Sequence, residues 1–504
     1  MTVPVANPIL RRTRWILAPL LAFLALAAWA FASPIGAAPD DDFHLVSIWC
    51  ADGGSDQCLP GSASDTRVVT SGLQDIACYA LHAERSGACQ KSLALDGVKN
   101  LKETGRGNFY GEYPPVYYGA MRIFAGPDVQ FSALVMRLIN AALFVVLATA
   151  LGALLPAARR RTLLWAWLVT LVPLGMFLIP SNNPSGWAIT GVGTAFLALL
   201  GWFETEGRRR WALGALYVVG VVMAAGARGD AAVYAVGATV TVLILTAAKN
   251  RGWALKTILP VVGLLIAVAF LSIAGQAGVA TEGFTGSGGA TIPVAGSDGV
   301  EAPLGGLALA AYNLLMLPLL WTGVWGSWAL GWFDTMLPAI VPWAATSAFV
   351  AVGFAGLGQL TWRKALAAGG VFSVLIALPV YVLTAGGDKV GASLQPRYLL
   401  PLIVLFAFVL LVEPAGRVLR FSRVQTFAIL GALALANLVA LQVNIRRYVT
   451  GAAQQGLNLD AHAQWWWSGV PFGPTALWAI GVLAFSGLLV VLWPQLRRQT
   501  DQLS

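Results

Sequence analysis

The chain has 504 residues, of which 58% are hydrophobic and only 11% are Asp, Glu, Lys or Arg, with a mean hydropathy of +0.72. Soluble chains carry about 25% charged residues. This composition therefore cannot clothe water-soluble domains, and it excludes disorder, which needs low hydrophobicity. A net charge of +9 would point to nucleic acid if the cations clustered on one soluble surface, but they fall between apolar runs of spanning length. The chain reads as an all-α polytopic integral membrane protein, a single membrane domain over residues 1–504.

A helix crossing lipid needs about 20 mostly apolar residues, because it must satisfy its own backbone hydrogen bonds there. Such runs occur near 15–34, 131–155, 162–180, 187–203, 211–226, 231–247 and 257–275, and again near 338–358, 365–384, 399–412, 424–443 and 473–493. Twelve spans are expected. Arg11, Arg12 and Arg14 precede the first, which places the N-terminus in the cytoplasm by the positive-inside rule. Alternation from there puts 19 of the 32 Lys and Arg on the cytoplasmic side, together with both termini. The first helix is expected to stay as an anchor: its apolar run exceeds a signal-peptide core, although Ala37-Ala38 resembles a cleavage site.

The first outer loop, 35–130, holds all four cysteines, Cys50, Cys58, Cys78 and Cys89. Cysteines confined to one extracytoplasmic loop read as disulfides, with three pairings open. The second outer region, 276–336, begins with a Gly/Ser/Thr-rich stretch. No Lys-Ser/Thr follows its glycines, so it is not a Walker-type phosphate loop. No Lys or Arg lies between Ile258 and Trp362. A full crossing at 305–322 would put Arg363 and Lys364 outside, so 305–336 is expected to be interfacial or re-entrant.

The densest acidic feature is Asp40-Asp41-Asp42, followed by Phe43-His44, just beyond the first span. Three adjacent carboxylates repel one another. The cluster suits a general base for an acceptor hydroxyl, a divalent cation site, or simply the cap of the next helix. Four cations are expected at similar depth: Arg137 inside the second span, Arg228 beside Asp230, Lys389, and Arg397 next to Tyr398. Arginines there suit a lipid phosphate, which they grip bidentately, or each snorkels or pairs with a nearby acid. Glu112, Tyr117 and Asn183 are further polar candidates on the same side for meeting a substrate or acceptor. No histidines pair at metal-ligand spacing, and no hydrolase nucleophile elbow is present.

These residues occur in a familiar order: Pro39-Asp40-Asp41 with His44, Pro114-Pro115-Val116-Tyr117-Tyr118, Arg137-Leu138, Asn183-Pro184, Gly331-Trp332-Phe333-Asp334-Thr335 and Arg397-Tyr398-Leu399-Leu400-Pro401. They resemble a bacterial family of multi-pass membrane proteins catalogued as a domain of unknown function, over about residues 15–450. That family is similar to the GT-C glycosyltransferases, some of whose relatives are associated with arabinofuranosyl transfer in cell-wall biogenesis. The resemblance implies a plasma-membrane enzyme that takes a sugar from a polyprenyl-phosphate donor to an envelope glycan or glycoconjugate on the extracytoplasmic side. Asp40 or Asp41 would be the catalytic base, Asp42, His44, Glu112, Tyr117 and Asn183 would meet the acceptor or substrate, and Arg137, Arg228, Lys389, Arg397 and Tyr398 the donor phosphate. Asp41-Asp42 stands where the family pattern has Glu-Pro, which leaves open which Asp acts and whether a metal joins. The competing readings are a transporter or lipid-linked sugar flippase, which would want polar groups near mid-membrane, and a non-catalytic envelope scaffold.

Overall fold

The computed structural model describes residues 8–53, 56–93, 100–275, 305–358, 360–414, 419–454, 456–467 and 469–497. Its helices run α1 (Pro8–Phe31), α2 (Asp41–Trp49), α3 (Ser71–Gln74), α4 (Val116–Arg122), α5 (Val129–Leu154), α6 (Ala157–Leu171), α7 (Leu174–Leu178), α8 (Ser185–Glu204) and α9 (Gly207–Ala225). They continue as α10 (Gly229–Thr246), α11 (Arg251–Lys256), α12 (Ile258–Ile273), α13 (Gly306–Thr322), α14 (Ile340–Leu357), α15 (Trp362–Ala385), α16 (Pro396–Leu411), α17 (Arg423–Thr450) and α18 (Pro474–Arg497).

Among the described residues ten helical stretches are long and apolar enough to cross a membrane. Nine lie where spans are expected, and the tenth is Gly306–Trp325. The other three expected spans are shorter or more polar. α6 has 15 residues and is separated from α7 by Pro173, which cannot continue a helical hydrogen-bond ladder. α9 opens on Arg208, Arg209 and Arg210, and α16 has 16 residues.

The stretch Gly306–Trp325 is long enough to cross, and its contacts with α15 run from the turn beyond that helix to about its midpoint. Asn313 joins the turn beyond α15, donating to Asp388 O at 2.9 Å and accepting from Val390 N at 2.9 Å. Eight residues on, Trp321 donates to Leu375 O at 3.2 Å, halfway along α15. The chain then turns back at Gly326, whose φ of 99° a side chain would strain, and residues 331–335 return to meet Gly36 and Arg447. At the opposite end of the bundle ion pairs tie helix termini together: Arg161 with Glu413 at 2.7 Å, Arg159 with Glu204 and Lys256 with Glu206, both at 2.8 Å.

α8 lies at the centre, buried along nearly its whole length. Lipid offers little hydrophobic force between helices, so close packing decides which ones associate. Gly191 and Gly220 make that possible here. A Cβ on Gly191 would sit 2.6 Å from Ala224 N, and one on Gly220 would sit 2.6 Å from Ala195 N.

The segment between α1 and α5 is not purely helical. It contains a three-stranded antiparallel sheet of β1 (Cys58–Pro60), β2 (Arg67–Thr70) and β3 (Leu101–Thr104), with Cys58 opposite Val69 and Arg67 opposite Thr104. Runs of three or four residues are too short for alternation to reveal them in sequence. The disulfides pair Cys50 with Cys58 and Cys78 with Cys89. The first ties α2 to β1. The second closes the turn that Arg447 holds through the carbonyls of Tyr79, His82 and Arg85. Cys78→Ser with Cys89→Ser is expected to destabilise this loop by about 2–4 kcal/mol, read as faster protease cleavage within 71–93 while the helical bundle stays intact.

Candidate functional site

The stretch from Phe31 to Asp40 is buried but mostly non-helical, so its carbonyls need partners from elsewhere. They find side chains from across the bundle. Arg137 donates to Ala30 O, Ser33 O and Pro34 O at 2.8–3.0 Å. Trp467 donates to Phe31 O and Trp332 to Gly36 O, each at 2.8 Å. Asn444 donates to Ala32 O at 3.0 Å, while Tyr79 and Gln90 both donate to Ile35 O at 2.6 Å. Asn183 and Arg397 then converge on Pro39 O at 2.8 and 2.7 Å. This cradle fixes the entry into α2, whose N-cap is Asp40.

Asp40 has φ 63° and ψ 14°, the left-handed region that Asp enters more readily than most residues. The turn brings three consecutive carboxylates into different surroundings. The Asp40 side chain is about one third exposed, Asp42 much less, and Asp41 not at all. Asp40 ion-pairs with Arg397 on one oxygen and with Arg106 at 3.1 Å on the other. Burial alone would raise its carboxyl, but its charged surroundings, Arg397 foremost, outweigh that and hold it well below the usual carboxylate range. Asp42 is gripped by Arg106 through two guanidinium nitrogens. Asp41 points inward. One of its oxygens accepts from Ala38 N at 3.3 Å and lies 3.9 Å from Arg137, and the other has no partner. Burial pushes its carboxyl up to about 7.

Aromatic rings surround this point. His44 Nδ1 and the Tyr118 hydroxyl are 2.9 Å apart, and burial holds His44 well below its usual value and therefore neutral. Arg397 also donates to the Tyr398 hydroxyl at 2.9 Å. Arg228 lies 4.6 Å from the Tyr398 ring and 5.7 Å from that of Tyr113, with its fork on Asp230 at 2.8 and 2.9 Å. Beside Arg397 and Pro39 is a small apolar pocket lined by Leu174, Phe177, Leu178, Trp328 and Phe333.

The structure thus brings together Asp40, Asp42, His44, Asn183, Arg397, Tyr398 and, through the Tyr398 ring, Arg228. Arg137 lies beneath them, committed to backbone carbonyls. Tyr117 is buried against Trp187, with ring centroids 5.4 Å apart. Glu112 is exposed on the surface, its carboxyl raised by partial burial against the pull of Arg106. Lys389 lies over the ring of Tyr312 at 5.3 Å. Sequence reasoning missed Arg106, a residue between two glycines that nothing local relates to an aspartate 64 positions earlier. It also missed the buried Asp334–Arg447 pair at 2.7 Å, which steadies the loop over the site.

A divalent cation does not suit this donor set. Both Asp40 oxygens and both Asp42 oxygens already accept guanidinium hydrogens, so a metal would have to displace Arg106 and meet its charge at close range. Among the described residues no group of three or more His, Cys, Asp and Glu side chains is placed to hold a metal.

No curated protein and no solved structure matches the chain. The family described as predicted membrane protein (DUF2142) matches residues 23–406. The matched region runs from within α1 through the cradle, the Asp40 turn and the Arg397 helix. The chain belongs to that family.

Proposed function

We propose that the protein is a glycosyltransferase of GT-C type, using a polyprenyl-phosphate sugar donor on the extracytoplasmic side of the membrane. The observation that carries the proposal is the Asp40 turn. It presents one partly exposed carboxylate, held between two arginines, at the end of an apolar helix bundle and beside a small apolar pocket. The positive-inside rule puts this end outside the cell, with both termini inside and twelve spans between, and α13 dips into the outer half and returns.

The reaction would break the anomeric carbon–phosphate oxygen bond and form a bond from that carbon to an acceptor hydroxyl. The hydroxyl proton goes to Asp40, and the polyprenyl phosphate departs with the bonding electrons. Asp40 held by two guanidinium groups is a weak base. A donor phosphate close to Arg397 and Arg106 would draw hydrogen bonds away from the carboxylate and restore its basicity. The same cations would steady the leaving group. Donor binding and base activation are then one event. The apolar side chains beside Arg397, among them Leu174, Phe177 and Phe333, give the first isoprene units of the donor a surface to lie on, His44 and Asn183 support the turn, and the rings of Tyr113 and Tyr398 give a face for a sugar.

A deletion strain rescued with wild type or with Asp40→Asn, at equal membrane levels, tests the proposal through envelope glycan composition and linkage. One linkage should vanish on deletion and return only with wild type. Full restoration by Asp40→Asn would remove Asp40 as the base. Movement of a lipid-linked sugar with no new glycosidic bond would make the protein a flippase.

A further inference from the structure

A second pocket lies at the end of the bundle remote from Asp40. α1, α5, α6 and α18 line it as an open groove. Most of its wall is apolar, including Ala18, Phe144, Ala148, Leu164, Leu168 and Leu488. Its polar groups gather at one end, where the start of α1 supplies Arg14, the start of α6 supplies Arg160 and the end of α18 supplies Gln495. Arg160 is braced there, its Nε donating to Leu155 O at 3.0 Å and its guanidinium lying 5.7 Å from the Trp15 ring.

We propose that this groove binds one anionic phospholipid, its phosphate at Arg14 and Arg160 and its acyl chains along the apolar wall. Three arguments lead there. Three of the four walls, α1, α5 and α18, are helices of membrane-spanning length, so the fluid around the groove is hydrocarbon, and an unfilled apolar groove would forfeit dispersion contacts. Two guanidinium groups favour a phosphate, which arginine meets with paired hydrogen bonds. Basic pockets between spanning helices are also where anionic headgroups bind. Trp15 beside Arg160 matches the amphipathic layer at headgroup depth. A zwitterionic lipid carries its own ammonium, which two arginines disfavour. The site is separate from the Asp40 turn and does not rest on the transferase reading.

The full-length protein, purified in detergent and mixed with equimolar phosphatidylglycerol and phosphatidylcholine of matched chains, is read by native mass spectrometry. One phosphatidylglycerol should be retained with about tenfold or greater preference, the scale of two arginine–headgroup attractions. Arg14→Gln with Arg160→Gln should erase the preference, while Arg14→Lys with Arg160→Lys should keep most of it. Ala148→Phe should exclude both lipids by filling the groove. Equal retention of the two lipids by wild type overturns the proposal even if every variant fails to fold. So does undiminished preference in the double Gln variant, and displacement of phosphatidylglycerol by equimolar polyprenyl phosphate would overturn the assignment to a phospholipid.

Discussion

Arg397→Gln is expected to lower the rate of the proposed sugar transfer by about 10²–10³-fold, the scale of losing one aimed donor at a developing negative charge. It also shifts the acid limb of the pH profile upward. Arg397 is buried, and its guanidinium holds Pro39 O, the Asp40 carboxylate and the Tyr398 hydroxyl together. Its charge is a main reason that the Asp40 carboxyl lies well below the ordinary range. Without it, burial is opposed only by weaker influences, the half-exposed Arg106 among them, so the Asp40 carboxyl climbs. A depressed carboxyl keeps its anion at every pH above its folded value. Once that value climbs, protonation begins at a higher pH, and a reaction that needs the carboxylate fails sooner on acidification. Arg397→Lys keeps a charge but loses the planar fork that serves three acceptors at once, so it should preserve folding better than activity. A pH–rate profile of isolated membranes, normalised to protein level, makes the comparison. Full activity with an unmoved acid limb in Arg397→Gln would detach Arg397 from the chemistry.

How much of this was legible beforehand depends on the range of the physics involved. Nine of the twelve expected spans reappear as long apolar helices because about 20 consecutive apolar residues have few alternatives to crossing lipid. The α6–α7 break falls inside the expected span 162–180, at Pro173, a local signal that a reading by apolar length alone passes over. The four cysteines pointed to disulfides, but their pairing depends on how α2 and the small sheet fold back, which no spacing encodes. The motif residues were visible as unusual polar groups near apolar runs, while their partners were not. Asn183 and Trp332 hold backbone carbonyls of the stretch after α1, and Arg397 adds such a bond to its ion pair with Asp40. A carbonyl is present at every residue and leaves no trace in the sequence pattern. Arg106 was invisible for the converse reason: its partners are distinctive, but only the β2–β3 pairing brings that strand end to them.

Arg137→Met is expected to be the most damaging single change to folding, at about 3–5 kcal/mol for breaking a buried charged partnership. The loss has two parts. Three carbonyls, those of Ala30, Ser33 and Pro34, lose their donor in a buried stretch. Asp41 also loses the largest influence opposing its desolvation. The second part depends on pH. Burial raises the folded Asp41 carboxyl from an ordinary 3.8 to about 7, so between those values the folded protein keeps a proton that the unfolded chain releases. Stability therefore falls as pH rises through that window and levels off above it. Asp41→Asn removes the falling contribution. It should match wild type at about pH 5 or below and equal or exceed it at about pH 8. Arg137→Met should be hurt more at the higher pH, and adding Asp41→Asn should recover the pH-dependent part while leaving the carbonyl loss in place. Thermal unfolding of the four proteins in detergent at the two pH values separates these contributions. If Asp41→Asn instead destabilises most at the higher pH, Asp41 is an ionised partner of Arg137 rather than a proton-holding acid, and the inward carboxylate supports the cradle by charge.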